Sequence, residues 1–213
     1  MLIIKPSYEI LGIFPEDVLP FLERIGRVCY KSEDKITEGS AEKFVHMILN
    51  RRHESVIEHA SMSVKFVCDR GVTHELVRHR LCAFSQESTR YCNYSKGKFG
   101  GELTVIDPCF WSKPDHYPRP PQYATWVRSM ENVEEDYLGL LKSGAKPQEA
   151  RDVLPNSLKT EIVTTANLRE WRHIFTLRTS EAAHPQMREI MCPLLKEVRQ
   201  RIPILFDEIG LVE

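Results

Sequence analysis

The chain has 213 residues, 42% of them apolar and 28% charged, with a formal net charge of −1. A chain of that length forms one domain, or at most two small ones, and buries roughly 70% of its unfolded surface. Near-neutral charge gives no global field for nucleic acid, so any anion site must be local, and no apolar run is long enough to span a bilayer. Six cysteines, at positions 29, 68, 82, 92, 109 and 192, include no C-x-x-C pair. They fit reduced thiols, and Met1 to Lys5 lacks the apolar length of a signal peptide, so a cytoplasmic location is expected.

In chain order, residues 2–12 mix β-branched and aromatic residues and predict an opening strand. Pro15-Glu16-Asp17 starts a helix whose core face carries Val18, Leu19, Leu22, Ile25, Val28 and Cys29. Gly39-Ser40 caps a second helix through about Arg52, with Phe44, Val45, Ile48 and Leu49 inward. The stretch from His53 to His59 tempts a zinc reading, but His at i and i+4 is required and position 57 is Ile. No metal site is expected. Residues 60–69 read as a strand, and Gly71-Val72 opens a helix that carries Glu75 and the Arg78 run. Residues 85–91 look extended. Residues 92–120 form a long excursion with a short strand at 102–106, to which no chemistry is assigned. A helix at 121–143 presents Tyr123, Trp126, Val127, Met130, Val133, Tyr137 and Leu140 as a buried stripe, and Gly144 ends it. A short helix holds Arg151 and stops at Pro155. A strand at 158–167 and a helix at 168–179 follow. The last helix, 185–201, turns Met187, Ile190, Met191, Leu194 and Val198 inward. With no interdomain linker or repeat, residues 1–213 read as a single α/β (α+β) domain.

The densest chemistry lies in Arg78-His79-Arg80-Leu81-Cys82-Ala83-Phe84-Ser85-Gln86-Glu87-Ser88-Thr89-Arg90. Guanidinium forks alternating with hydroxyls and amides suit a ligand carrying both phosphate and heterocycle. The plainer reading is that Arg78 to Arg80 cap the carboxyl end of a helix. A second Arg-rich face, Arg169, Arg172 and Arg178, lies far downstream on helix 168–179. Arg172 reads as solvated, whereas Arg178 sits at the helix end beside Thr179 and Ser180. Cys82 follows two cations closely, but its apolar neighbours favour packing over nucleophilic chemistry.

Together these stretches resemble the flavin-dependent thymidylate synthases. The family signature, Arg-His-Arg, seven residues, then Ser, is complete from Arg78 to Ser88. The resemblance extends to Arg27-Val28, the His53–His59 segment, Thr73-His74-Glu75-Leu76 and Ser85 to Tyr91. Downstream it takes in Ala150-Arg151 to Pro155, and Asn167-Leu168-Arg169 through Arg178. It implies methylation of dUMP to dTMP, with methylenetetrahydrofolate as one-carbon donor and NADPH as reductant through FAD, and no Cys nucleophile. It also implies a central, mainly antiparallel sheet flanked by helices, and a homotetramer whose active sites are shared between subunits. Carried over by position, FAD contacts fall on Ser55, Arg78, His79, Arg80, Gln86, Asn167, Leu168, Arg169 and His173. Contacts to dUMP fall on Glu75, Leu76, Val77, Arg78, Gln86, Glu87, Ser88, Thr89, Arg90, Arg151 and Arg178. Arg178 is the implied activating residue, favouring the N3-ionised uracil. Neither nucleic acid nor membrane is an expected partner. A related pyrimidine nucleotide, or a hydroxymethylated product, stays open at this stage.

Overall fold

The computed structural model describes residues 1–97, 100–111 and 118–210, so parts of the 92–120 excursion lie outside the described residues. The expected opening strand is two strands, β1 (Leu2–Ile4) and β2 (Ser7–Phe14). Pro6 separates them, since it has no N–H for a ladder. Helix α1 (Val18–Tyr30) starts after Asp17 and buries Val18, Leu22, Glu23 and Gly26. Val28 and Cys29, expected inward, are exposed. The reason is Gly26: a Cβ there would stand 2.5 Å from Cε1 of Phe44, so the helix seats on its Leu22–Gly26 line. That Phe44 belongs to α2 (Ser40–Asn50), which buries Phe44, Val45, Ile48 and Leu49 as predicted. A 3-10 turn, Glu54–His59, precedes β3 (Ser61–Asp69).

Helix α3 (Arg70–Leu76) is shorter than expected, ending before the Arg78 run. After β4 (Ala83–Gln86) and β5 (Thr104–Ile106) comes α4 (Pro121–Lys142). Its buried line is only Tyr123, Met130 and Tyr137, and Leu140 is exposed. The chain continues through α5 (Pro147–Ala150), a 3-10 turn at Arg151–Val153, β6 (Lys159–Asn167) and α6 (Leu168–Arg178). Helix α7 (Pro185–Arg201) buries all five predicted apolar positions, and a short α8 (Pro203–Phe206) follows that the sequence reading lacks.

Two sheets form. One pairs β1 with β5 in parallel, Ile3 opposite Val105, and the other has strand order β2-β3-β6-β4. Within the second, β3 and β6 are antiparallel. Leu168 N donates to Ala60 O, Ser63 Oγ meets Thr165 Oγ1, and Arg70 N donates to Leu158 O, so the paired numbers keep a constant sum. Along both strands every second residue is buried, with Met62, Val64, Phe66 and Cys68 in one and Thr160, Ile162, Thr164 and Ala166 in the other.

The chain gathers into two compact units. The first comprises residues 1–7, 66–78 and 85–162. Its satellite core packs Tyr94, Leu103, Tyr137, Ala150 and Leu158. The second comprises residues 8–65, 79–84 and 163–213. There Trp171, Phe175 and Phe206 form a chain of ring contacts, 5.5 and 5.7 Å between centroids, and Trp171 Nε1 donates to Met62 O at 2.9 Å. Among the described residues no helix is long and apolar enough to cross a membrane.

Candidate active site

In the second unit the site grows out of the β6–α6 junction. Asn167 ends the strand and caps the helix, its Oδ1 accepting from Glu170 N at 2.8 Å. One face of α6, with Leu168, Trp171, Ile174 and Phe175, is buried. The opposite face lines a cleft of about 710 Å³ with Asn167, Arg169, His173 and Thr176, joined by Glu54 and Glu58 from the 3-10 turn. Arg169 donates to Glu58 at 2.5 Å and pairs with Glu54 at 3.4 Å. Leu81, 75% exposed, borders the same cleft. Arg172 is not the solvated residue expected. It donates to the Leu205 carbonyl and pairs with Glu208 at 3.4 Å, which ties α6 to the segment around α8.

The two basic clusters meet here. Arg178 Nε donates to His79 Nε2 at 3.0 Å, although 99 residues separate them. His79 is only 5% exposed, because its ring is held against α6 with Glu170 Oε1 at 3.5 Å from Nδ1 and His173 edge-on at 5.8 Å. Burial, then the Arg178 guanidinium and His173, push its pKa down to about 4. The nearby carboxylate alone would favour an imidazolium, but donation from Arg178 requires a lone pair on Nε2. His79 is therefore neutral, with its proton on Nδ1. This burial also explains why Arg78-His79-Arg80 is not helical: one residue is pulled inward while Arg78 and Arg80 stay exposed. Arg78 and Arg80 follow directly on the carboxyl end of α3, whose C-cap is Val77, so they stand where cations complement the helix end, while His79 turns inward.

Cys82 is half-buried, and desolvation plus the Glu170 charge push its thiol up to about 12. That is the opposite of an activated nucleophile. Ser55 is exposed in the 3-10 turn, whereas Leu168 is fully buried, leaving a ligand only its backbone.

The first unit holds the other predicted residues. Gln86 Nε2 donates to Thr73 Oγ1 at 3.0 Å and to Thr160 Oγ1 at 3.3 Å, which fixes the amide and leaves Oε1 for an incoming donor. Glu87 accepts from Tyr94 Oη at 2.7 Å and pairs with Lys159 at 3.0 Å, so its carboxylate braces the segment instead of facing outward. Burial and that carboxylate both raise the Tyr94 pKa. Ser88 opens a turn: its Oγ accepts from Arg90 N at 3.3 Å and its carbonyl from Tyr91 N and Cys92 N. The turn replaces the extended course expected through Tyr91 and buries Thr89. Arg90 lies 5.6 Å from the Tyr91 ring centroid, and Arg151 is exposed at the start of its 3-10 turn, not within a helix. On α3, Leu76 is fully buried, while Val77 and Arg78 after it are exposed. Among the described residues no group of three or more His, Cys, Asp or Glu is placed to hold a metal ion.

Sequence reasoning missed Glu170, Tyr94 and Lys159. Asn167-x-x-Glu170 is a cap signature that could have drawn attention to Glu170. Nothing local announces the Lys159–Glu87 pairing.

Comparison with known proteins follows the same residues. The family described as thymidylate synthase complementing protein matches residues 19–204. The chain belongs to that family of enzymes. A flavin-dependent thymidylate synthase of Corynebacterium aurimucosum is 34% identical over 200 residues, 88% of this chain and 78% of its own. One from Pyrococcus furiosus is 34% identical over 172 residues, 80% and 68% of the two chains. Among solved structures, a UMP/dUMP methylase from Streptomyces cacaoi bound with 5-Br dUMP superposes with a TM-score of 0.76 at 26% identity, covering 97% of this chain and 96% of its own. Thymidylate synthase X from Helicobacter pylori, with FAD and dUMP, gives 0.75 at 22% identity over 96% and 98% of the two chains, a likeness of fold.

Proposed function

We propose that the chain methylates the uracil ring of dUMP at C5 to give dTMP, with a one-carbon unit from methylenetetrahydrofolate and reducing equivalents from NADPH passed through FAD. The observation that carries this reading is the Arg178–His79 contact, which joins the family signature to the implied activating arginine inside one compact unit. Family membership and the names of the relatives support it.

The donor set suits FAD. The cleft volume falls in the ordinary ligand range, and the Asn167 amide, Arg169 guanidinium, His173 ring and Thr176 hydroxyl offer partners for pyrophosphate and flavin edge. When bound, FAD supplies two-electron transfer from the nicotinamide. Arg78, Arg80 and Ser55 complete the proposed flavin set, with Gln86 Oε1 as acceptor. A His79 nitrogen would have to exchange a partner to join it.

For dUMP, the phosphate is assigned to Arg90, Arg151 and the N–H groups around Ser88 and Thr89, and the base to Arg178; Glu75, Leu76, Val77 and Arg78 complete the proposed set. Arg178 cannot act as a base at neutral pH. A fixed cation instead favours the N3-deprotonated uracil, whose raised electron density at C5 assists attack on the one-carbon unit, and the C5 proton is then lost. The chain is assigned to act as one domain in a homotetramer, with active sites drawn from several copies.

The test is product chromatography from methylenetetrahydrofolate and NADPH with dUMP, and in parallel UMP, with and without FAD. dTMP formed only with FAD supports the assignment. A methylated product from UMP alone would reassign the substrate. Arg178→Ala is expected to retain FAD and lose dUMP binding or turnover, and unchanged kinetics would remove the activation step.

A further inference from the structure

We propose that Glu170 is a positioning residue for Arg178, acting through His79: its carboxylate selects the Nδ1–H tautomer of the imidazole, and the lone pair thus left on Nε2 holds the guanidinium. The inference rests on the role proposed for Arg178, but its structural half stands alone.

Three observations carry it, all within the second unit. Glu170 is 8% exposed, although an acid one turn into a helix ordinarily reaches water, and its Oε1 lies 3.5 Å from His79 Nδ1. On the other side of the ring, Arg178 Nε donates to Nε2 at 3.0 Å. An arginine nitrogen is only a donor, so the ring can accept there only if its proton is on Nδ1, facing the carboxylate. In water a neutral imidazole has no such constraint, and its other tautomer would turn an N–H against the guanidinium. The third observation is the backbone. Glu170 N is held by the Asn167 cap, and Trp171 beside it is fully buried, so the carboxylate is aimed from a fixed helical turn. His173 closes the ring's remaining side edge-on. The same carboxylate borders the cleft, and it helps keep the Cys82 thiol protonated. One buried acid thus orients the arginine and adds to the burial that keeps Cys82 protonated.

The experiment uses the full-length chain labelled with 15N-histidine, with His79 assigned by loss of its signals in His79→Gln. Wild type is expected to show one protonated Nδ1 and one bare Nε2. In Glu170→Ala an Nε2–H population should appear, whereas Glu170→Gln, whose amide oxygen can accept from Nδ1, should keep the wild-type pattern. A pure Nδ1–H tautomer that persists in Glu170→Ala, or is lost equally in both variants, overturns the relay. Kinetics supply the second arm. Glu170→Ala should lower kcat by up to about a hundred-fold, as expected when a reacting group is mispositioned, with no loss of FAD. A loss of FAD in proportion to the loss of rate would reduce Glu170 to a wall of the cleft. If wild type makes no dTMP, the proposed reaction fails while the nitrogen spectra still decide the relay.

Discussion

Asn167 serves two purposes that substitution can separate. Its Oδ1 caps α6 at 2.8 Å, and the residue also borders the cleft. Asn167→Ala removes the cap acceptor, a loss of about 1 kcal/mol, which for a chain of this size lowers Tm by about 2–4 °C. The helix should stay docked, because Leu168 and Trp171 are fully buried. Asn167→Asp keeps the acceptor and adds a negative charge at the positive end of the helix, worth about 0.3–1 kcal/mol. That charge, however, joins Glu54, Glu58 and Glu170 on the cleft and replaces the amide donor proposed for FAD. The Asp variant should therefore melt at or slightly above wild type yet bind FAD weakly. Melting is measured on flavin-stripped protein, since bound FAD shifts Tm by mass action, and binding by flavin fluorescence titration. An Ala variant that melts within about 1 °C of wild type would refute the cap argument. An Asp variant with wild-type FAD affinity would refute the role of the amide.

Other outcomes follow from the same geometry. Cys82→Ala should retain most activity, and since burial and the Glu170 charge hold its thiol protonated, rapid alkylation of Cys82 by iodoacetamide at pH 8 would contradict the packing described. Gly26→Ala should destabilise by about 1–3 kcal/mol through overpacking against Phe44, despite the better helix propensity of Ala, and a rise in the urea midpoint would show that the two helices yield. His79 titrates near 4 in the native protein against 6.5 ordinarily. Between those values the unfolded chain binds the extra proton, so this residue makes stability fall as pH is lowered from about 6.5 to 4. His79→Gln should flatten that window in denaturant titrations, and an unaltered pH profile would argue against a buried neutral ring.

The segments legible in the sequence were those whose burial follows a single period. The alternation of Met62, Val64, Phe66 and Cys68, and the stripe from Met187 to Val198, reappear in the structure position by position. Illegible were the features set by one distant contact. Helix α3 stops at Leu76 with no Gly or Pro to end it, since His79 is drawn to α6. The α1 face turns away from Val28 because a ring from α2 occupies the space over Gly26. Arg172 reads as a surface cation until the carbonyl of Leu205 arrives from beyond α7. Of the candidate site, the residue types and their order were readable. Missing were the partners, namely Glu170 behind His79, hinted at only by the Asn167-x-x-Glu170 cap signature, and Tyr94 and Lys159 behind Glu87, for which no spacing rule exists.

The β6–α6 junction has no spare residue: Asn167 is the last of the strand and the cap of the helix. A single inserted residue there would turn α6 by about 100° and advance it by about 1.5 Å. Arg169 and His173 would leave the cleft and Arg178 would leave His79, while Trp171 was driven out of the core. β3 passes into α3 in the same way, with Asp69 ending the strand and accepting from Val72 N. Chain length is therefore locked at both joints, and relatives of this protein should vary in length elsewhere, leaving these two boundaries as fixed rulers for aligning any divergent member.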